Sequence, residues 1–221
     1  MTRPHEDLRH HTPTDHRPGG PALALSPGSW WAITVAHVAA ERAPAGVAAY
    51  ETLVEQARIA APKAREAAVL ESHDRRRVIA MLHLDGHEAF RHLTAAWDDR
   101  HMFAERHAVA ESQSLALYRL VTNVGESTID PASTDAYAFE RVSSGTERTG
   151  AISAAISAAP GFRGAMLFGA DGADASAVFY RFSHADEIET FRATPEAKHV
   201  LGPSGAPGET FYAVRLVRTF A

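Results

Sequence analysis

The predicted order of helices and strands occurs twice in this chain of 221 residues, and that repetition limits the folds open to it. In the first half, a strand over Trp30–Val38 leads into an Ala-rich helix that ends at Pro62. A hairpin, a long helical region from His87 and a strand over Leu115–Asn123 follow. After Gly125 the same order returns in a shorter form. Both halves therefore follow the order β-α-β-β-α-β, which is the split βαβ or ferredoxin-like arrangement.

The strands of this chain require burial on both faces of their sheets, although a ferredoxin-like sheet carries its helices on one face only. In the last strand, Ala213 and Val217 lie in one phase, while Tyr212 and Val214 lie in the other. Two bare sheet faces can bury each other by packing face to face. We therefore predict an α+β fold in which two tandem ferredoxin-like repeats form a fused dimeric α+β barrel. The chain would then be a monomeric pseudo-dimer or a homodimer.

The composition of the N-terminus predicts a disordered arm, because His, Pro, Gly and Thr dominate and only Leu23 and Leu25 interrupt the polarity. A polar segment, ESTIDPAST, separates the two repeats and is typical of a linker. The chain is accordingly divided into an arm over residues 1–28, a first repeat over 29–125, a linker over 126–134 and a second repeat over 135–221.

Composition and charge exclude several classes of function. The chain has no cysteine, so disulfides, thiolate metal centres and cysteine nucleophiles are excluded. Its net charge is -5 and it has no basic stripe, which disfavours a nucleic-acid partner. No segment is apolar enough for a membrane span or a signal sequence, so we expect a cytoplasmic protein with no membrane partner. Nucleotide-binding and GxSxG motifs are absent.

The second half has three distinctive features, which are Pro160-Gly161-Phe162 at the entry to a strand, an aromatic strand around Phe179-Tyr180-Arg181, and Phe191 followed by Thr194-Pro195 on a helix. In these features it resembles the antibiotic biosynthesis monooxygenase (ABM) superfamily. The first half is similar in plan around Leu84-Asp85-Gly86-His87-Glu88-Ala89-Phe90. The chain departs from the family where Tyr180-Arg181-Phe182 replaces the expected Trp or Glu-Trp. The resemblance implies the same dimeric α+β barrel.

The resemblance also implies a reaction. Cofactor-independent members of the superfamily oxidise electron-rich aromatic polyketides with O₂, so we expect a monooxygenase that tailors an aromatic polyketide or another polycyclic phenol in antibiotic biosynthesis. Its partners would be a small aromatic substrate and O₂, with no cofactor. The same superfamily leaves two alternatives, a polyketide cyclase that uses the same pocket without O₂ and a haem-binding or haem-degrading protein.

Such chemistry needs a base, and histidine suits this role because imidazole titrates near neutral pH. Seven of the nine histidines outside the arm lie in the first repeat, which points to that half. His83 lies on a strand in phase with Ile79 and Met81, and His92 lies on the following helix. Together with Trp97, these residues are the predicted catalytic set, converging on a pocket between helix and sheet.

Other polar residues are candidates for binding. Tyr118, Tyr180, Arg181 and Tyr212 lie on strands and are predicted to contact the substrate. No zinc-ligand spacing occurs, so no metal is expected. The segment Phe103-Ala104-Glu105-Arg106-His107 is similar to the helix that carries the axial histidine in haem-degrading relatives, and His107 would be the ligand if haem binds.

Overall fold

The structure is a computed structural model that describes residues 20–97, 108–143, 146–170, 175–201 and 212–220. The first half contains a 3-10 turn over Ala40–Arg42 and the elements β1 (Leu23–Ala24), β2 (Trp30–Val38), α1 (Ala43–Ala60), β3 (Glu66–Ser72), β4 (Arg77–Leu84), α2 (His87–Trp97) and β5 (Ala110–Gly125). A short strand β6 (Thr128–Ile129) follows. The second half contains β7 (Ala136–Ser143), α3 (Thr146–Ser157), β8 (Phe162–Ala170), β9 (Ala175–Phe182), α4 (Ala185–Ala193), α5 (Pro195–Leu201) and β10 (Tyr212–Thr219).

Eight of these strands close into one barrel in the order β10-β3-β4-β2-β5-β8-β9-β7. Within each half, the last strand pairs with the first, the first with the third and the third with the second, which is the ferredoxin-like order. The halves meet along two antiparallel seams, β5 with β8 and β3 with β10. The fold predicted from the sequence, a fused dimeric α+β barrel, is confirmed.

Apolar side chains form three cores because the strands bury both faces. One core fills the barrel and includes Trp31, Met81, Tyr118, Phe168 and Phe179. The other two lie outside the barrel, between each half-sheet and its own helices. None of the helices in the described ranges has the length and apolar character needed to cross a bilayer.

Strand pairing defines which residues of the two halves are equivalent. In the first half, Trp31 pairs with His83, and in the second half Tyr137 pairs with Arg181 at the corresponding place. His83 and Arg181 are therefore counterparts. The same register makes Leu82 the counterpart of Tyr180.

The prediction of a disordered arm is wrong for residues 20–28, while residues 1–19 lie outside the described residues. Residues 20–29, here called the strap, cross one end of the barrel, and Leu23 and Leu25 are buried there. These two leucines are two residues apart, so an extended chain points both to the same side. The strap strand β1 pairs with β6, and Ile129 of β6 is also buried.

Candidate functional site

A cleft of about 400 Å³ opens at the end of the barrel that the strap crosses. Ala24 and Ser26 of the strap form one wall. The other lining residues come from the edges of the barrel strands and the segments beside them, and they are Trp31, Arg65, Glu66, His83, Thr219 and Phe220. Arg65 pairs with Asp85, with 3.4 Å between Nη2 and Oδ1. Polar and aromatic groups thus meet in one accessible space.

His83 and Glu66 form a hydrogen-bonded pair in this cleft. Nδ1 of His83 lies 3.0 Å from Oε2 of Glu66, and the side chains are 18% and 28% exposed. Because an ionised carboxylate only accepts hydrogen bonds, Nδ1 carries the proton and Nε2 of a neutral ring is left with its lone pair. Nε2 has no hydrogen-bond partner in the part of the chain that the structure describes.

Trp31 fixes the plane of the His83 ring. The two rings stack with centroids 4.8 Å apart and planes 15° apart. Trp31 is fully buried, and its Nε1 donates to Oγ of Ser29 at 2.8 Å. A histidine that is held by a carboxylate on one side and by an aromatic face on the other is suited to act as a general base.

The structure does not bring His92 to His83. His92 lies on the outer side of α2, where it is 68% exposed and 3.9 Å from Glu88. His83 faces the barrel end, whereas α2 packs on the opposite face of the sheet through Leu93. The expectation that His83 and His92 share a pocket between helix and sheet is therefore wrong. The side chain of Trp97, the last residue of α2, lies outside the described part of the structure.

One small cavity lies between the helices and the sheet of the first half, among the described residues. It measures about 10 Å³ and is lined by side chains such as Leu53, Val54, Leu82 and Leu93. That volume is about what one water molecule needs, so this cavity holds neither an aromatic substrate nor haem. His107, the predicted haem ligand, lies outside the described residues. Across the described ranges, no group of three or more His, Asp or Glu residues could hold a metal ion.

The second half holds a buried polar triad, Tyr180, Glu140 and Arg192, between its sheet and α4. The Tyr180 hydroxyl donates to Oε1 of Glu140, and Nε of Arg192 lies 2.7 Å from that same oxygen. Nε of Arg192 also lies 2.9 Å from the Tyr180 oxygen. Burial, followed by the negative charge of Glu140, raises the pKa of Tyr180 well above its usual value.

Sequence reasoning missed the role of Arg192. Glu140 lies in an apolar strand and needs a partner, which it takes from a helix and not from the strand arginines Arg119 and Arg215. Arg215 instead pairs with Glu71 at 2.8 Å, and Arg119 lies over the ring of Trp30. The signal that could have identified Arg192 is its position directly after Phe191, on the face of α4 that packs against the sheet.

Tyr118 and Tyr212, predicted to contact the substrate, occupy equivalent places in the barrel core. Tyr118 packs edge-on against Phe139 and Phe168. Burial raises the pKa of Tyr212 to about 12. Neither tyrosine lines the barrel-end cleft.

Arg181, also predicted to contact the substrate, is buried and bound to its own chain. Its Nε donates to Oδ2 of Asp135, and its two terminal nitrogens donate to Oγ1 of Thr128 at 2.8 Å and Oγ of Ser133 at 3.3 Å. Glu126 adds a longer ion pair at 3.7 Å. Its donors are therefore directed at residues 126–135.

Comparison with known proteins gives structural matches only, since no family profile and no curated protein matches the chain. An anthrone oxidase-like protein is 13% identical over 90% of this chain and 96% of its own, with a TM-score of 0.63. A protein assigned as a monooxygenase from Fusobacterium nucleatum subsp. nucleatum is 10% identical over 88% and 96%, with a TM-score of 0.56. A chlorite dismutase from Candidatus Nitrospira defluvii is 13% identical over 86% and 92%, with a TM-score of 0.52. These matches confirm the expected fold.

Proposed function

We propose that this chain, whose structural neighbours include ABM-like monooxygenases, is itself an oxidoreductase that uses O₂ and no bound cofactor. Its substrate is an electron-rich polycyclic phenol or anthrone, and the reaction is a tailoring step of aromatic polyketide biosynthesis. The observation that carries the proposal is the His83–Glu66 pair in a cleft of about 400 Å³. A volume of this order is typical of small-molecule sites.

The first step is removal of a proton by Nε2 of His83. The proton comes from the CH₂ group of an anthrone or from a phenolic hydroxyl, and it leaves an electron-rich anion. Glu66 stabilises the imidazolium that forms and keeps Nδ1 protonated, as the carboxylate of a catalytic triad does. Arg65, at the mouth of the cleft, is placed to face negative charge on the substrate oxygen.

The electrons for oxygen reduction come from the substrate itself. In an anthrone, the CH₂ group becomes a carbonyl, one atom of O₂ enters the product, and the other leaves as water with the two hydrogens that the carbon lost. A phenol that becomes a quinone obeys the same balance. No further reductant is needed.

The three tyrosines that were predicted to contact the substrate have no such role in this proposal. Tyr118, Tyr180 and Tyr212 are buried in packed cores, so the aromatic substrate is proposed to lie against Phe220 and the strap instead. His92 has no part in the reaction because it faces solvent on the other side of the sheet.

Turnover of an anthrone in air and under anaerobic conditions tests the proposal. We expect oxidation only in air, with one atom of ¹⁸O₂ in the product. The variant His83→Gln should lose about 100-fold or more in kcat, the usual contribution of a general base. Glu66→Gln should lose about tenfold or more, since it keeps the shape but not the charge. His92→Ala is the matched control and should retain full activity.

Two results would contradict this scheme. Turnover that persists without O₂ and releases water would identify a cyclase that uses the same base. Full activity in His83→Gln would place the reaction elsewhere in the chain.

A further inference from the structure

We propose that Arg181, the second-half counterpart of His83, is a positioning residue that fastens the wall of the His83 cleft. This inference rests on the proposed function for its kinetic readout, but its structural readout is independent of it. Equivalent positions in the two halves would then have different roles. His83 is the base of the reaction, and Arg181 keeps the wall of the cleft in position.

The first link runs from Arg181 to the linker. All three guanidinium nitrogens of Arg181 bind side chains of residues 126–135, namely Thr128, Ser133 and Asp135. The side chains of Arg181 and Asp135 are only 10% and 13% exposed, so water competes weakly with this ion pair. A fork of three donors fixes both the position and the orientation of the segment that it binds.

The second link runs from the linker to the strap. Thr128, which accepts from Arg181 through its side chain, pairs through its backbone with Ala24 of the strap. The backbone N–H of Leu25 donates to the carbonyl of Ser127, also in the linker, at 3.2 Å. The strap is thus joined to the linker at neighbouring residues.

The third link runs from the strap to the cleft. Ala24 and Ser26 line the cleft together with His83. Ala24 pairs with Thr128, which accepts from Arg181, so the two-residue ribbon connects Arg181 to the cleft wall. A movement of Thr128 therefore displaces the cleft wall.

The other contacts of the strap are concentrated at its ends. Gly20 lies so close to the carbonyl of Val217 that no Cβ fits there, and Gly28 donates to the carbonyl of Leu120 at 2.7 Å. Between those ends, the strap is held by its pairing with the linker, by the burial of Leu23 and Leu25, and by Asn123 of β5, whose Nδ2 donates to the carbonyl of Leu25 at 2.7 Å. Loss of the Arg181 contacts should consequently loosen the segment that lines the cleft.

Amide hydrogen exchange together with steady-state kinetics tests this role. In Arg181→Met, we expect the amide of Leu25 to exchange about tenfold faster or more, because its acceptor lies on the released linker. KM for the anthrone should rise about tenfold, while kcat stays within about twofold, since the wall binds substrate but touches no reacting atom. Arg181→Lys should lie between the wild type and Arg181→Met, because it keeps the charge but not the fork.

Two further variants control for a general loss of stability. Arg215→Met breaks another poorly exposed ion pair, with Glu71, which is not bonded to the linker. It should leave Leu25 exchange and KM unchanged. Thr128→Val with Ser133→Ala removes two acceptors of Arg181 without leaving an unpaired charge, and should reproduce the effect of Arg181→Met in weaker form.

The outcomes separate the two proposals. Unchanged Leu25 exchange in Arg181→Met would overturn the positioning role, as would equal acceleration in Arg215→Met. Accelerated exchange confined to the Arg181 and Thr128/Ser133 variants would support the role even in a protein that oxidises no anthrone, and would leave only the oxygenase assignment refuted.

Discussion

The buried triad of the second half predicts that removal of the Tyr180 hydroxyl lowers the free energy of unfolding. In Tyr180→Phe, Glu140 loses a hydrogen-bond donor, and Arg192 loses the hydroxyl oxygen that it contacts at 2.9 Å. Tyr180 is fully buried, so water does not replace the lost group. A hydrogen bond to a charged group contributes about 1.5–3 kcal/mol. In a chain of this length, that loss corresponds to a fall in Tm of roughly 3–12 °C.

Tyr118→Phe is the matched control. Tyr118 is also a buried strand tyrosine, but its hydroxyl bonds to no residue in the described ranges, and its ring contacts survive in phenylalanine. We expect its free energy of unfolding to change by less than about 0.5 kcal/mol. Urea titrations of both variants, followed by circular dichroism, measure the difference. Equal stability of the two variants would refute the reasoning that the hydroxyl of Tyr180 stabilises the buried charges.

Two more outcomes follow from the structure. The pKa of Tyr212 is about 12 in the folded protein and about 10 in an unfolded chain, so above pH 10 the unfolded state loses a proton that the folded state keeps. The free energy of unfolding should therefore fall by about 1.4 kcal/mol per pH unit from pH 10 to 12, and urea midpoints should show a shallower slope in Tyr212→Phe. On addition of haem, we expect the Soret band to stay that of free haem, and a shifted band that is lost in His107→Ala would favour the haem-binding alternative instead.

Much of the fold could be predicted because it depends on local patterns. The β-branched and aromatic residues of Trp30–Val38 give a strand with the predicted bounds. Apolar residues in both phases of β10 required packing on both faces, and the barrel supplies it. The predicted phase of Val217 was wrong, because the irregularity between Val214 and Leu216 puts Val217 in the barrel core with Tyr212 and Val214 and puts Leu216 in an outer core. The repeat of element order then determines the topology, since each half forms the ferredoxin-like sheet by itself.

The candidate site was only partly predictable. The strand phase of His83 placed it with Ile79 and Met81, but strand phase does not say which face of a sheet the helices cover. The site at the barrel end also depends on Glu66, seventeen residues away from His83, and on the strap. In the strap, two leucines among polar residues were too weak a signal to predict a strand.

Long-range ion pairs were the least predictable features. Glu140 meets Arg192 across 52 residues, and Arg181 meets Asp135 across 46. Charges in apolar strands need partners, but the choice among several arginines and carboxylates depends on how α4 and the linker pack. Only the tertiary structure decides that choice.

The seam between β3 and β10 has a consequence for how the chain is made. Contacts across it join distant residues such as Glu71 and Arg215, which are 144 positions apart along the sequence. A ribosome completes the first half while both of its outer strands, β3 and β5, still have unpaired edges. Contacts between such distant residues slow folding, and open strand edges invite pairing with other chains. The nascent chain is consequently most exposed to aggregation during synthesis of its second half, until β8 and β10 cover those edges.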